Sequence, residues 1–462
     1  MPTLRLPPGL PYRQAQLLSL LAVRPTLTRA EYQFASGISR ETARKDLHEL
    51  LQAGLIVSVG DSRARRYSRP FEPEFTSQAA QPLPSSRPTA AQQLRGSGII
   101  EHGLEPEILT AGAQTTKKNR LAIVGDVAME AADPKVVLAK AAPFLRESGI
   151  AFCNCEWPLT DRGAPWPGKA GRVVRSHPSK IETYTFAGFD AVGLANNHTM
   201  NYGPEGLLQT IELLDAAGIK HCGGGANLEA AHRPAVVEWQ GARVAFLSYT
   251  SVFTAGFEAT PDRPGLAVVK VETSYNVPSR LHEMPGSPLE VTTTPDPRHK
   301  DRLQADVSAA RQLADAVVVS WHWGVSMGYQ HLVPYQTELG HAAIDAGADL
   351  VVGHHPHTLQ GIELYRGRPI AYSIAHFGFD MESSSFSPES VLLDVELTPH
   401  GFGQMLVRPV ANSVEQPEIV DAEAGRQCLD WLARLSKPLG TRLDLTPDGA
   451  LCSSPSAAGE AT

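Results

Sequence analysis

The 462-residue chain lacks the features that mark several large classes of protein. No stretch approaches the roughly 18 consecutive apolar residues that a membrane-spanning helix needs, so no span is expected. The opening MPTLRLPPGL has no charged patch leading into an apolar run, so no cleaved signal peptide is expected either. Cysteine is sparse and odd in number, at positions 153, 155, 222, 428 and 452. That usage suits a reducing compartment better than a disulfide framework, and a cytoplasmic location is the expectation. Charged residues make up only 19% against 42% hydrophobic, which is enough to bury a core and excludes global disorder.

The charge that is present is unevenly spread. Residues 1–70 carry eleven Lys and Arg against five Asp and Glu, a net +6, while the remainder carries −14. A basic head on an acidic body suggests a separate module facing a polyanion. Within the head, Leu17, Leu18, Leu20 and Leu21 recur at helical spacing, and Thr28 is placed to cap a short helix ending near Phe34. Ser39 precedes a third helix over Arg40 to Ala53 with Ala43, Leu47, Leu50 and Leu51 in one stripe. Leu55 to Val59, the turn at Gly60-Asp61 and Arg65-Arg66-Tyr67 read as a basic hairpin. Three helices and a hairpin predict a winged helix-turn-helix over residues 9–70, and ISRETARKDLHELLQAGLI resembles the winged helices of DeoR-type regulators. Ser39, Arg40, Arg44, Lys45 and Arg65 are its candidate DNA contacts, with protein contacts as the alternative.

Residues 71–117 are rich in Pro, Ser, Gln and Ala and read as a flexible linker. From 118 to 415, apolar strands alternate with amphipathic helices, which predicts an α/β body around buried sheets. Residues 416–462 are expected to hold one helix and then a disordered tail.

The polar residues that follow the apolar runs carry the chemistry. Leu-Ala-Ile-Val-Gly-Asp126, Ala-Phe-Cys-Asn154-Cys-Glu156, Val-Gly-Leu-Ala-Asn196-Asn197-His198, Val-Val-Val-Ser-Trp-His322 and Leu-Val-Val-Gly-His354-His355-Pro-His357 each end a strand in Asp, Glu, Asn or His. These are the side chains that hold divalent transition ions, and ligands gather at the carboxyl ends of strands in α/β sheets. Carboxylates and an amide suit hard ions, whereas imidazoles select Mn, Fe or Zn. A carboxylate such as Glu156 can bridge two ions about 4 Å apart, which together activate a water. An uncoordinated His198 beside Asn197 would then protonate the leaving atom.

Taken with Asn154-x-Glu156-x-Pro-Leu-Thr, Asn197-His198-x-Met-x-Tyr-Gly, His322-Trp-Gly and Tyr372-Ser, these motifs over residues 120–412 resemble the poly-γ-glutamate capsule synthesis (CapA) family, itself similar to the calcineurin-like metallophosphoesterases. The resemblance implies a four-layer double β-sandwich flanked by helices, with a two-metal site at one edge. It implies Asp126 and His357 on one ion, Asn197, His322 and His355 on the other, Glu156 bridging, and His198 as the acid. The expected cofactor is a pair of divalent ions, Mn, Fe or Zn. The expected partner is a small or peptide-like anionic substrate cleaved at a phosphoester or amide bond.

The chain departs from that pattern at three places. Ala128 stands where phosphoesterases usually carry a His, so Asn154 or His354 is a candidate replacement. His376 follows Ala375 where Gly-Asn is common, which makes His376 a candidate substrate contact. Asn201 stands where Asp is common. Arg172 and Arg175 follow the Glu156 motif and could clamp an anion. Trp321, Trp323, Cys153 and Cys155 read as core residues, the cysteines between the sheets. The alternatives to a hydrolase are a regulator that senses a ligand through this body, or a non-catalytic partner in γ-glutamyl polymer synthesis.

Overall fold

The computed structural model describes residues 27–28, 40–52, 56–59, 66–68, 117–130, 133–169, 171–279, 283–284, 289–326, 331–379, 389–411 and 416–454. They fall into two units, residues 1–113 and 114–462. In the first, the helix Arg40–Gln52 buries Ala43, Leu47 and Leu50, the stripe that its sequence spacing requires. Val57–Val59 and Leu27–Thr28 pair antiparallel with Arg66–Ser68, so Thr28 lies in a strand. Arg44 and Lys45 are exposed on the helix. Ser39, Arg65, the side chain of Arg40, the two preceding helices and the linker lie outside the described residues.

The second unit is built on two mixed sheets. In a ten-stranded sheet, Lys118–Ala128 lies between the parallel Ser148–Cys155 and the antiparallel Ser390–Thr398, with Ala191–Gly193 and Lys220–Cys222 continuing one side. A six-stranded sheet places Ala316–His322 between the parallel strands Ala242–Thr250 and Leu350–His354. Period-two alternation assigns each strand two faces. Leu121, Ile123, Ile150 and Phe152 face Phe246, Val318 and Val352 of the other sheet. Phe152 stacks on Phe246 at 4.7 Å across that interface, and each such fully buried ring contributes about 2–3 kcal/mol.

The opposite faces meet helices. Ala122, Val124 and Val192 pack with Leu145, Tyr184, Leu207 and Leu214 of the helices Ala142–Glu147, Ile181–Ala187 and Gly203–Ala216. Val317, Val319 and Trp321 pack with Leu303, Val307 and Leu339 of the helices Pro297–Leu313 and Pro334–Asp345. The order is therefore helix, sheet, sheet, helix. Among the described residues, no helix is long and apolar enough to cross a membrane.

Two expectations need correction. Cys153 and Cys155 face the helices rather than the partner sheet, because Asn154 between them takes the inter-sheet face. Beyond the helix Arg426–Ser436, residues expected to fray instead form a hairpin, Arg442–Thr446 with Gly449–Ser453, whose second strand joins Gly401–Ala411. Its alternating Leu443, Leu445 and Leu451 are too few for a strong apolar pattern, and pairing to an existing sheet edge supplies the rest. Residues 455–462 lie outside the described residues.

Candidate metal centre

The inter-sheet layer ends in a polar cluster where the strands of both sheets finish. Asp126 and Asn154 are register partners on parallel strands, and His322 and His354 are register partners on the facing sheet. The hydrogen-bonded ladders carry each strand past its apolar run to these polar residues. Gly125 is required beside Asp126, since a Cβ there would lie 2.2 Å from the Ala375 carbonyl oxygen. That approach lets the Asp126 N–H donate to Ala375 O at 3.2 Å.

Asp126 is wholly buried and accepts from Asn154 Nδ2 at 2.8 Å and from the His355 N–H at 3.3 Å. His357 faces both acids, with Nδ1 3.5 Å from Asp126 Oδ2 and Nε2 3.7 Å from Glu156 Oε1. Among the described residues, one ligand atom from each of Asp126, Glu156 and His357 falls within 4.8 Å of the other two. His322 Nε2 at 4.0 Å and His198 Nε2 at 3.9 Å also approach Glu156 Oε1. His322 Nε2 also lies 2.9 Å from Asn197 Oδ1, and its ring centroid is 4.8 Å from that of His355. His355 and His357 hold φ of 92° and 54°, a left-handed backbone that costs about 1–3 kcal/mol per residue.

The electrostatics fit a bound cation. Both Glu156 carboxylate oxygens are buried with no hydrogen-bond donor, although a buried charge without a partner is expensive. Burial raises Asp126 to about 7 and Glu156 well above the carboxylate range, the proximity of Asp126 adding to the second shift. Burial also lowers His355 to about 4 and holds His322 and His357 well below the ordinary value. Neutral imidazoles are ready to ligate a metal, and the two acids would release their protons on binding one.

His198 is held differently. Asn201 Nδ2 donates to the Val174 carbonyl at 3.3 Å and to His198 Nδ1 at 2.9 Å. The carbonyl fixes which end of the amide carries the hydrogens, so Nδ1 accepts and the proton resides on Nε2, the nitrogen toward Glu156. Burial first, and then Lys169, lowers His198 to about 3, so it stands neutral with a proton to donate.

Other expected residues take different places. Ala128 packs with Trp157 and Phe379, so position 128 belongs to a small apolar cluster. Of the two candidate replacements, Asn154 donates to Asp126 through Nδ2 and accepts from Asn196 Nδ2 at 3.3 Å through Oδ1, which orients both groups. His354 Nδ1 sits 3.4 Å from Asp126 Oδ1, outside the converging trio, and both its ring nitrogens lack hydrogen-bond partners. His376 pairs in register with Asp126 and is fully buried against Phe379, its ring centroid 6.2 Å from that of His357. Arg172 is exposed, while the Arg175 guanidinium lies 4.4 Å from the Tyr202 ring centroid. Trp321 and Trp323 are fully buried and stack at 5.0 Å, as core residues do.

Lys169 escaped the sequence reading. Its Nζ donates to the Asn197 carbonyl at 2.7 Å, and its charge is felt at Glu156, His198 and His355. It lies in an irregular loop with no periodicity, and only its place three and six residues before Arg172 and Arg175 hinted at it.

Comparison with known proteins agrees with this geometry. Residues 110–381 match the family model described as bacterial capsule synthesis protein PGA_cap. The capsule biosynthesis protein CapA of Bacillus anthracis is 29% identical over 304 residues, covering 64% of this chain and 67% of that one. A probable polyglutamine synthesis accessory protein of Mycobacterium tuberculosis is 29% identical over 316 residues, covering 65% and 76%. The PGA biosynthesis protein CapA of Bacillus subtilis is 28% identical over 313 residues, covering 66% and 74%.

Proposed function

This chain belongs to the bacterial capsule synthesis protein family, and from that premise we propose that it is a metal-dependent hydrolase of a phosphoester or a γ-glutamyl, peptide-like amide bond. One observation carries the reading: Asp126, Glu156 and His357 converge within 4.8 Å, with His322 Nε2 4.0 Å from Glu156 and Asn197 against His322. The helix–sheet–sheet–helix order agrees with the metallophosphoesterase-type body that the motifs imply.

Asp126, Glu156 and His357 would hold one divalent ion, and Glu156, Asn197, His322 and His355 a second. When bound, such ions supply Lewis acidity and an activated water. The protein's own residues then do three things. Asn154 aims Asp126, Asn201 keeps the His198 proton on Nε2, and His198 offers that N–H as a hydrogen-bond donor to the charge that builds on the leaving atom. The test is hydrolysis of a generic phosphomonoester, a phosphodiester and γ-glutamyl peptides with Mn²⁺ by wild type and Asp126→Asn. Turnover by wild type alone supports the proposal; identical, background rates for both proteins on every substrate refute it.

A second reading, an accessory role in polymer synthesis without turnover, is favoured by Ala128, which leaves the Asp126 side without an imidazole at a position where phosphoesterases carry one. It predicts metal binding with no hydrolysis.

A further inference from the structure

Lys169 presents a charge problem whose solution identifies part of the substrate. The candidate ligand set holds only two carboxylates, Asp126 and Glu156; Asn197 and the imidazoles of His322, His355 and His357 are neutral. With two divalent ions in place, the centre is already positive before Lys169 is counted. Yet the Lys169 ammonium is placed beside it, donating to the carbonyl of Asn197 at 2.7 Å, with its charge reaching Glu156 as well as His198 and His355.

The placement is built in. Pro158 and Ser176 clasp the base of the loop, with Ser176 N–H donating to Pro158 O at 2.8 Å. Trp166 N–H donates to Asn201 O at 2.9 Å, and the Trp166 ring meets Phe257 edge-on at 5.7 Å. Lys169 itself crosses the Phe257 face, with Nζ 6.0 Å from the centroid. Glu156 offsets the Lys169 charge only while it is not shared with the ions; once it holds them, a half-buried ammonium beside them is costly unless a further anion occupies the space between. An ammonium has three donors, and Asn197 O takes one.

We propose that Lys169 anchors an anionic group of the substrate, a carboxylate or a phosphoryl oxygen, on the His198 side of the centre, with Arg172 extending the positive field outward. The inference rests on the hydrolase reading and deepens it: the substrate bears a negative charge next to the bond that is cleaved.

The test compares wild type, Lys169→Met and Lys169→Arg by calorimetric titration, first with Mn²⁺ and then, on the Mn²⁺-loaded proteins, with inorganic phosphate, γ-glutamylglutamate and a neutral N-acetylated glycyl dipeptide amide. An anchor predicts opposite signs. Lys169→Met tightens Mn²⁺ severalfold by removing a like charge, and weakens the anion by roughly tenfold or more. Lys169→Arg retains most of the anion affinity, and the neutral peptide is indifferent. Whichever of phosphate and dipeptide shows the loss identifies the source of the charge. If Lys169→Met weakens Mn²⁺ as well, the residue is a brace for Asn197 and the proposal falls; unchanged anion affinity overturns it too. If wild type binds no Mn²⁺, the hydrolase reading fails separately. The same anion titrations without metal then decide Lys169, loss in Lys169→Met supporting the anchor and no loss overturning it.

Discussion

Asn154 donates its side-chain N–H to Asp126 across 2.8 Å from the register partner on the neighbouring parallel strand, so the sheet itself aims the first carboxylate of the centre. Removing the amide in Asn154→Ala leaves a buried carboxylate oxygen short of a donor, at about 1–3 kcal/mol. It also lets Asp126 rotate, and loss of such a supporting contact weakens a metal by about 10- to 100-fold. Calorimetric Mn²⁺ titration with urea unfolding checks both; an unchanged affinity would show that the bond does not orient the ligand.

Restoring a histidine at position 128 is predicted to harm the protein. Ala128 is buried with Trp157 and Phe379, and an imidazole there overpacks the cluster by about 1–3 kcal/mol. Ala128→His should melt below wild type with and without Mn²⁺. A variant that melts above wild type in Mn²⁺ would mean that the position is open to the metal after all.

Stability of the metal-free protein should peak near neutral pH. Burial lowers His198 and His354 to about 3 and His355 and His376 to about 4, with His322 and His357 also well below the usual value. Their contribution is complete above the unfolded imidazole value near 6.5 and is lost as pH falls toward 4, where only the unfolded chain takes up the protons. Asp126, raised by burial to about 7, and Glu156, raised further, act oppositely. Their protonated folded forms favour folding at low pH, and that contribution declines as pH rises from about 4 through 7. Six imidazoles against two carboxyls make the acid side the steeper. Divalent ions replace the carboxyl protons and should flatten the alkaline side. Urea unfolding at about pH 5, 7 and 9, with and without Mn²⁺, measures this; a metal-free stability that rises steadily to pH 9 would contradict the burial of ionisable acids.

Much of the body was legible because hydrophobic alternation and strand-end polarity report the same geometry. Val318 and Val352 had to face inward for their strands to bury a face, and the period of two then puts His322 and His354 on that face at the strand ends. Asp126 does not follow from that rule, because the register shifts between Ile123 and Asp126 before the strand reaches its pairing with Asn154. What resisted reading lay where no period exists. Lys169 sits in a loop fixed by single bonds from Trp166 and Ser176, and such contacts leave no repeating signature. His376 looked like a rim residue, since nothing in its sequence neighbourhood reveals that its strand pairs with Asp126 and buries it. The C-terminal hairpin depends on a sheet edge supplied some 40 residues upstream, at Leu406 and Val407, and was invisible locally.

The central claim, that distant strand ends converge on a pair of divalent ions, is tested most directly by metal content. Protein purified without chelator and supplied with Mn²⁺ should hold two ions per chain. Asp126→Asn should lose the ion on the His357 side, and His322→Ala the one beside Asn197. Wild-type protein that is correctly folded yet retains no ion, and whose melting temperature does not respond to added Mn²⁺, Fe²⁺ or Zn²⁺, would contradict the account.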